Sequence, residues 1–195
     1  AHSGLFGECI MNTKYVAVIS DTHELGTGWG SPSKLFEALR GSDLILHCGD
    51  LEVLGILDHL ETIAPVLAVR GYGDPHESGH RLAEQIRVEE INKVRIGIIH
   101  DIWWPGPSVS FNKERRLTFP KGDIPEIMKN KFKHSVDVVC FGDTHDTYVD
   151  WHGGILFLNP GSPTHPGLYG NNAGVGTIAY LEINGNEFSA KIKSL

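Results

Sequence analysis

Asp21 and His23 stand two residues apart, directly after the apolar run Tyr15 to Ser20. A carboxylate and an imidazole at that spacing, on the turn leaving a buried strand, are the beginning of a metal site. The pattern then repeats. Leu44 to Cys48 runs into Gly49-Asp50, Val94 to Ile99 ends at His100, and Val136 to Phe141 runs into Gly142-Asp143-Thr144-His145. Taken singly these pieces carry little weight: Asp-X-His arises by chance, Gly-Asp is commonly a turn, and a histidine at a strand end is more often a hydrogen-bonded core residue. Their order is the signal. Four apolar strands each deliver an oxygen- or nitrogen-bearing side chain at the C-terminal end, which is how an α/β sheet gathers a site from distant parts of a chain.

The elements that position these residues follow from periodicity. Tyr15–Ser20 reads as a strand. Ser31 caps, and Pro32 opens, a helix over Ser33–Arg40 that Gly41 stops. Asp43–Cys48 is a second strand. Val53–Ile63 is helical, with Leu54, Leu57, Leu60 and Ile63 as its apolar stripe, and Pro65–Arg70 is a third strand. This β-α-β-α-β opening argues for a parallel sheet. Further on, Ala83–Ile91 and Val94–His100 form a hairpin about Asn92-Lys93, and Asp123–Phe132 is a helix. Thr147–Trp151 and Ile155–Leu158 flank Gly153-Gly154, and Val175–Ile183 and Glu187–Lys193 flank Asn184-Gly185-Asn186. The C-terminal half is therefore expected to be antiparallel in character. Two sheets packed together with helices outside is the simplest sum. The loops 71–80, 101–112 and 160–173 are long for connections, and long loops in a compact domain are often functional.

At 195 residues, 41% apolar and 21% charged, the chain suits one soluble domain with a sizeable core. We expect residues 1–12 to be a flexible arm or an added remnant, with Met11 as a natural start, and 13–195 to be the domain. No stretch approaches the ~20 apolar residues of a membrane span. The net charge of -7 does not indicate nucleic acid as a partner. Cys9, Cys48 and Cys140 are too few for a disulfide framework, and the last two sit in apolar strands, which points to reduced thiols and a cytoplasmic setting. A homo-oligomer is left open.

The ordered blocks Asp21-Thr22-His23, Gly49-Asp50, Gly71-Tyr72-Gly73-Asp74, His100 and Gly142-Asp143-Thr144-His145 resemble the calcineurin-like metallophosphoesterase superfamily. They are most similar to its small bacterial and archaeal phosphodiesterase branch, which also holds the retromer's phosphoesterase-like subunit. Asn159-Pro160-Gly161-Ser162 matches a stretch typical of that branch. The resemblance spans about Tyr15 to Ile183. It implies an α/β fold of four layers, an αββα sandwich with two mixed β-sheets flanked by helices. It also implies a phosphoesterase, most readily a phosphodiesterase, that uses metal-activated water for in-line attack on phosphorus. One or two divalent ions are implied, manganese first, then zinc, iron or nickel, with a phosphate ester as substrate. By resemblance Asp21, His23, Asp50 and His145 hold the first ion, and Asp50, His100 and Asp143 hold the second.

Three positions depart from the pattern. Tyr72 stands where the family has a ligand Asn, Asp143 where it has a His, and Gly73 where many members carry a general-acid His. A carboxylate at 143 keeps a donor and adds charge. A neutral phenol is a poor ligand at neutral pH, so Tyr72 is read as lining the substrate pocket, together with Asp74; Asp74 and His76 are the nearest replacements for the missing acid. These departures motivate a second expectation, a protein-interaction scaffold that kept the fold and lost the chemistry. Four further features border the site. His47 reads as a support to the ligands or a core residue. Trp103-Trp104 could stack a base, meet a partner or simply pack. Lys113, Arg115 and Arg116 could reach a phosphate or be solvated. His165 lies in a Pro/Gly-rich loop and is not read as a ligand. Ser162 lacks the Gly-X-Ser-X-Gly elbow of a serine nucleophile.

Overall fold

The computed structural model describes residues 12–23, 32–76 and 80–195. The N-terminal arm, Cys9 and the Ser31 cap lie outside the described residues. The first sheet has the order β12-β11-β1-β2-β3. Its strands are β1 (Lys14–Ile19), β2 (Leu44–His47), β3 (Val66–Ala68), β11 (Thr177–Asn184) and β12 (Glu187–Ser194). β1, β2 and β3 run parallel, as the alternation with α1 (Pro32–Leu39) and α2 (Gly55–Glu61) requires. β11 returns antiparallel against β1, and β12 against β11.

The second sheet has the order β4-β5-β8-β10-β9. The hairpin β4 (Ile86–Ile91) and β5 (Val94–Ile99) forms as expected. The antiparallel character expected of the C-terminal half holds in the last hairpin, and within this second sheet only at the edges. β8 (Val138–Cys140) lies parallel to both β5 and β10 (Ile155–Pro160), while β9 (Thr147–His152) pairs antiparallel with β10. The reason is the crossover. Between β5 and β8 the chain passes through α3 (Ile124–Phe132), which returns it to the same end of the sheet and forces parallel pairing. Asp123 caps α3 by accepting the Glu126 N–H. The long 101–112 loop ends in a small hairpin, β6 (Ser110–Phe111) with β7 (Leu117–Thr118), too short to show as periodicity.

Three apolar clusters define the layers. Val16, Val18, Leu46, Ile96, Ile98, Val138, Leu158 and Leu181 fill the space between the sheets. Leu35 and Leu39 of α1 and Ile56, Leu57 and Leu60 of α2 cover the outer face of the first sheet. Met128 and Phe132 of α3 cover the second. The result is the four-layer α/β sandwich, helix, sheet, sheet, helix. α2 is shorter than its apolar stripe, because Leu54 and Ile63 pack on the cluster from the turns beyond its ends. No helix among the described residues is long and apolar enough to cross a membrane.

Parallel strands place their C-terminal ends on one edge. β1, β2, β5 and β8 therefore discharge the turns bearing Asp21, Asp50, His100 and Asp143 into the same region. Backbone bonds stitch the turns together: the Asp21 N–H donates to Gly49 O at 3.0 Å, His23 N–H to Asp50 O at 3.1 Å, and Gly142 N–H to His100 O at 2.9 Å.

Candidate metal centre

All six residues read as metal ligands converge. One donor atom each from Asp21, His23 and His145 falls within 4.8 Å of the others, and so does one each from Asp21, Asp50 and His100. His23 Nε2 lies 3.2 Å from His145 Nε2 and 3.9 Å from Asp50 Oδ2, and His145 Nε2 lies 3.5 Å from Asp21 Oδ1. At the second cluster His100 Nε2 lies 3.3 Å from Asp50 Oδ2 and 3.8 Å from Asp143 Oδ1. Asp50 reaches both clusters, and Asp21 belongs to both as well.

The backbone at these turns is unusual. Asp21, His23, Asp50, Glu52, Asp143 and His145 all have positive φ, between 39° and 67°. Such conformations persist only where the surroundings over-determine them, and they gather at functional sites. Glycines make room for them. A Cβ on Gly142 would lie 1.9 Å from Ser20 Oγ and 2.6 Å from Asp21 Oδ2, and one on Gly71 would lie 2.2 Å from Asp50 Oδ1.

Hydrogen bonds fix which ring nitrogen faces the centre. His100 Nδ1 donates to Cys48 O at 2.8 Å and His145 Nδ1 to His165 O at 2.6 Å, because a carbonyl can only accept. His23 Nδ1 donates to the Glu52 carboxylate at 2.7 Å. In the neutral rings each Nε2 is then a lone pair turned inward. Two lone pairs at 3.2 Å repel unless a cation or a proton lies between them. His100 Nε2 and Asp21 Oδ1 are buried without a hydrogen-bond partner. This donor set fits a divalent ion of the Mn, Fe or Zn type, bound by mixed imidazole and carboxylate.

The electrostatics agree. Burial lowers the tendency of His100 to charge, yet Asp50 and Asp21 outweigh it and push its pKa up to about 9. Burial alone would raise Asp50, but His100 and the Gly73 N–H hold it at about 2. Burial pushes Asp21 up, against the pull of His100 and His145, and burial also raises Asp143. A cluster of acids that recruits a proton onto His100 is one that positive charge stabilises.

Residues around the ligands hold them in place. His47 is buried, and burial drives its pKa down to about 4, so it is neutral. Its Nδ1 accepts the Gly49 N–H and its Nε2 donates to Thr22 Oγ1, bracing two ligand turns at once. Asp74 is 4% exposed. Its carboxylate faces the loop, not the site opening: Oδ1 accepts the Leu51 and Glu52 N–H groups, and Oδ2 those of Asp50 and Gly71. Ser162 Oγ donates to Asp21 O, and Asn159 Nδ2 to Gly142 O, so the Asn-Pro-Gly-Ser stretch buttresses the turns from behind. Glu52 escaped the sequence reading; its place two residues after Asp50 was the only signal.

Tyr72 is 61% exposed and stands edge-on to His100, ring centroids 5.7 Å apart. Its hydroxyl donates to Asp101 Oδ2 at 2.6 Å, a bond that pushes the phenol well above its ordinary pKa. Of the basic cluster, Arg115 pairs with Asp146 and lies over Tyr169, and Arg116 pairs with Asp150. His165 offers its carbonyl to His145, and its ring packs against His23.

Comparison with known proteins bears on this geometry. Residues 15–186 match the calcineurin-like phosphoesterase superfamily domain, and the chain belongs to that family. A probable metallophosphoesterase of Methanothermobacter thermautotrophicus is 33% identical over 177 residues, covering 91% of this chain and 90% of that protein. A phosphodiesterase of Methanocaldococcus jannaschii is 24% identical over 175 residues, 89% of this chain and 95% of its own. Among solved structures, wild-type Vps29 of Entamoeba histolytica complexed with zinc superposes with a TM-score of 0.66 at 25% identity, covering 93% of this chain and 98% of that one.

Proposed function

We propose that the protein is a metal-dependent phosphodiesterase. The observation that carries this reading is the inward lone-pair set: Nε2 of His23, His100 and His145 around the carboxylates of Asp21 and Asp50, with Asp21 Oδ1 and His100 Nε2 unpartnered. Asp21, His23, Asp50 and His145 hold the first ion. Asp50, His100 and Asp143 hold a second, with Asp21 beside it. Bound divalent ions supply the Lewis acidity that polarises a phosphoryl oxygen and acidifies an attacking water. The chain's own residues do the rest. Glu52, His165 O and Cys48 O fix the three imidazole tautomers. Asp74 shapes the 50–52 loop, and the Gly73 N–H holds Asp50 Oδ1 at 2.9 Å. Tyr72, tied to Asp101, borders the substrate. No side chain at position 73 can protonate a leaving group, so esters with acidic leaving groups are the better substrates. The M. jannaschii relative supports the diester assignment. Manganese is the first candidate ion, with zinc, iron and nickel next. The free thiols of Cys48 and Cys140 support a reducing, cytoplasmic setting.

The test is hydrolysis of bis-p-nitrophenyl phosphate by metal-stripped protein titrated with Mn²⁺, with Asp50→Ala alongside. Activity that appears with Mn²⁺ and is absent in Asp50→Ala supports the reading. Full metal-dependent activity in Asp50→Ala would falsify it.

One observation favours a second reading, an interaction scaffold. On β9 Val149 and Trp151 are 41% and 54% exposed, with Trp151 stacked on Phe188. Trp151 lies toward the end of the sheet away from the metal centre, since it is opposite Leu156 and Leu156 opposite Val138 at the start of β8; Val149, opposite Leu158 and through it Cys140, lies nearer the ligand turns. Inactivity with Mn²⁺, Zn²⁺, Fe²⁺ and Ni²⁺ alike would transfer the function to such a surface.

A further inference from the structure

We propose that Tyr72 and Trp104 form a stacking subsite for a planar base beside the second metal position, so that the esters this centre takes are of the nucleotide type. The inference rests on the phosphoesterase reading and adds the identity of the group attached to phosphorus.

A shallow cleft runs from His100 past Tyr72, Asp101 and Gln85 to Trp104 and Pro105. Its lining thus includes a residue assigned to the second metal position and two aromatic side chains. Tyr72 stands edge-on to the His100 ring at 5.7 Å, so an ester bound at the second metal position has this cleft beside it. The aromatic side chains are exposed, 61% for Tyr72 and 54% each for Trp103 and Trp104. The Tyr72 side chain and the backbone on either side of Trp104 are nonetheless anchored. Asp101 accepts the Tyr72 hydroxyl on one oxygen and the backbone N–H of Trp103 on the other, at 2.6 and 2.7 Å. The ammonium of Lys131, reaching out of α3, bonds Pro105 O from beneath. A Tyr72 ring held by its hydroxyl, beside a loop pinned at Asp101 and Pro105, loses little further freedom when a flat partner covers it, which favours binding. Every base presents a π-face, and base–aromatic stacking is tolerant of which base it is. The exposed amide of Gln85 stands at the cleft wall, where it can meet a base edge. A small aliphatic ester would leave both aromatic faces in water.

The test compares adenosine 5′-monophosphate with ribose 5-phosphate, which differ only in the base, with adenosine alongside as the base without phosphate, by calorimetric titration of the Mn²⁺-loaded full chain. The nucleotide is expected to bind about tenfold tighter or more, and Trp104→Ala and Tyr72→Ala each to shrink that ratio. Quenching of tryptophan emission by the nucleotide should be lost in Trp104→Ala and retained in Trp151→Phe. Equal binding of the two compounds overturns the subsite while leaving the phosphoesterase reading in place. Binding of adenosine without binding of ribose 5-phosphate supports the subsite and counts against the phosphoester reading. Binding of none of the three overturns both.

Discussion

Replacing Asp74 by Asn removes one charge and exchanges one acceptor for a donor at a place where only acceptors fit. The two carboxylate oxygens together accept four backbone N–H groups, from Asp50, Leu51, Glu52 and Gly71, at 2.7 to 2.9 Å. Whichever way the substituted amide turns, its NH₂ faces two of those donors, and the remaining oxygen keeps two weaker bonds. Losing two hydrogen bonds to a charged acceptor costs about 3–6 kcal/mol at ~1.5–3 kcal/mol each. A domain of this size loses ~2–4 °C per kcal/mol, so the melting temperature should fall by roughly 6 °C or more. The same loop carries Asp50 into both clusters and Glu52 onto His23, so Mn²⁺ affinity should fall as well, about 10–100-fold, as when other supports of a ligand are lost. Scanning calorimetry and Mn²⁺ titration of Asp74→Asn read both effects. Wild-type melting refutes the accounting of hydrogen bonds. Lower melting with unchanged Mn²⁺ affinity refutes the claim that this carboxylate shapes the metal centre.

Glu52→Ala leaves His23 Nδ1 without its carboxylate and should weaken Mn²⁺ binding about 10–100-fold, with melting of the metal-free protein little changed because Glu52 is partly exposed; a calorimetric titration decides it. Gly142→Ala drives a Cβ onto Ser20 Oγ and Asp21 Oδ2, and should cost ~1–3 kcal/mol in denaturant unfolding while lowering Mn²⁺ affinity. For Lys131, burial holds the ammonium at about pKa 8, below its ordinary 10.5. Below pH 8 both folded and unfolded chains carry the proton, and the folded chain bears the full cost of burying it. Between pH 8 and 10.5 only the unfolded chain retains it, so this residue's contribution to stability rises with pH across that window. Urea unfolding of wild type and Lys131→Met at about pH 7 and about pH 10 should show the difference moving in favour of wild type; a constant difference refutes the assignment.

The strands were legible because their burial is nearly complete: Val16 to Ile19, Ile45 to His47 and Val138 to Cys140 are all buried, and continuous apolar runs announce this. The candidate donors stood out because each follows such a run directly. The direction of β8 was not, since Val-Val-Cys reads alike either way, and only the passage through α3 makes it parallel to β5. Asp74 looked like a residue facing substrate from its place beside Tyr72 and Gly73. Its inward turn depends on N–H groups from positions 50, 51, 52 and 71 meeting at one point, which no local pattern records. The Asn159 to Ser162 stretch was visible as a motif, but its task of holding Asp21 O and Gly142 O lies across sequence separations of 141 and 17 residues.

The left-handed turns also restrict which amino acids can stand in them. Outside glycine, the residues that enter that conformation most readily are Asn, Asp and His, and these are also residues with metal-binding side chains. At Asp143, where φ is 67°, the backbone therefore favours other donors, and on the proposed reading exchange among Asp, Asn and His would retune the ion preference. Tyr72 is not among the described residues with positive φ. Its position is free of that restriction, and there an aromatic stands. The alphabet at one corner of the centre is narrow and at the other wide, so on the proposed reading selection for a new ion would work through position 143 and selection for a new substrate through position 72.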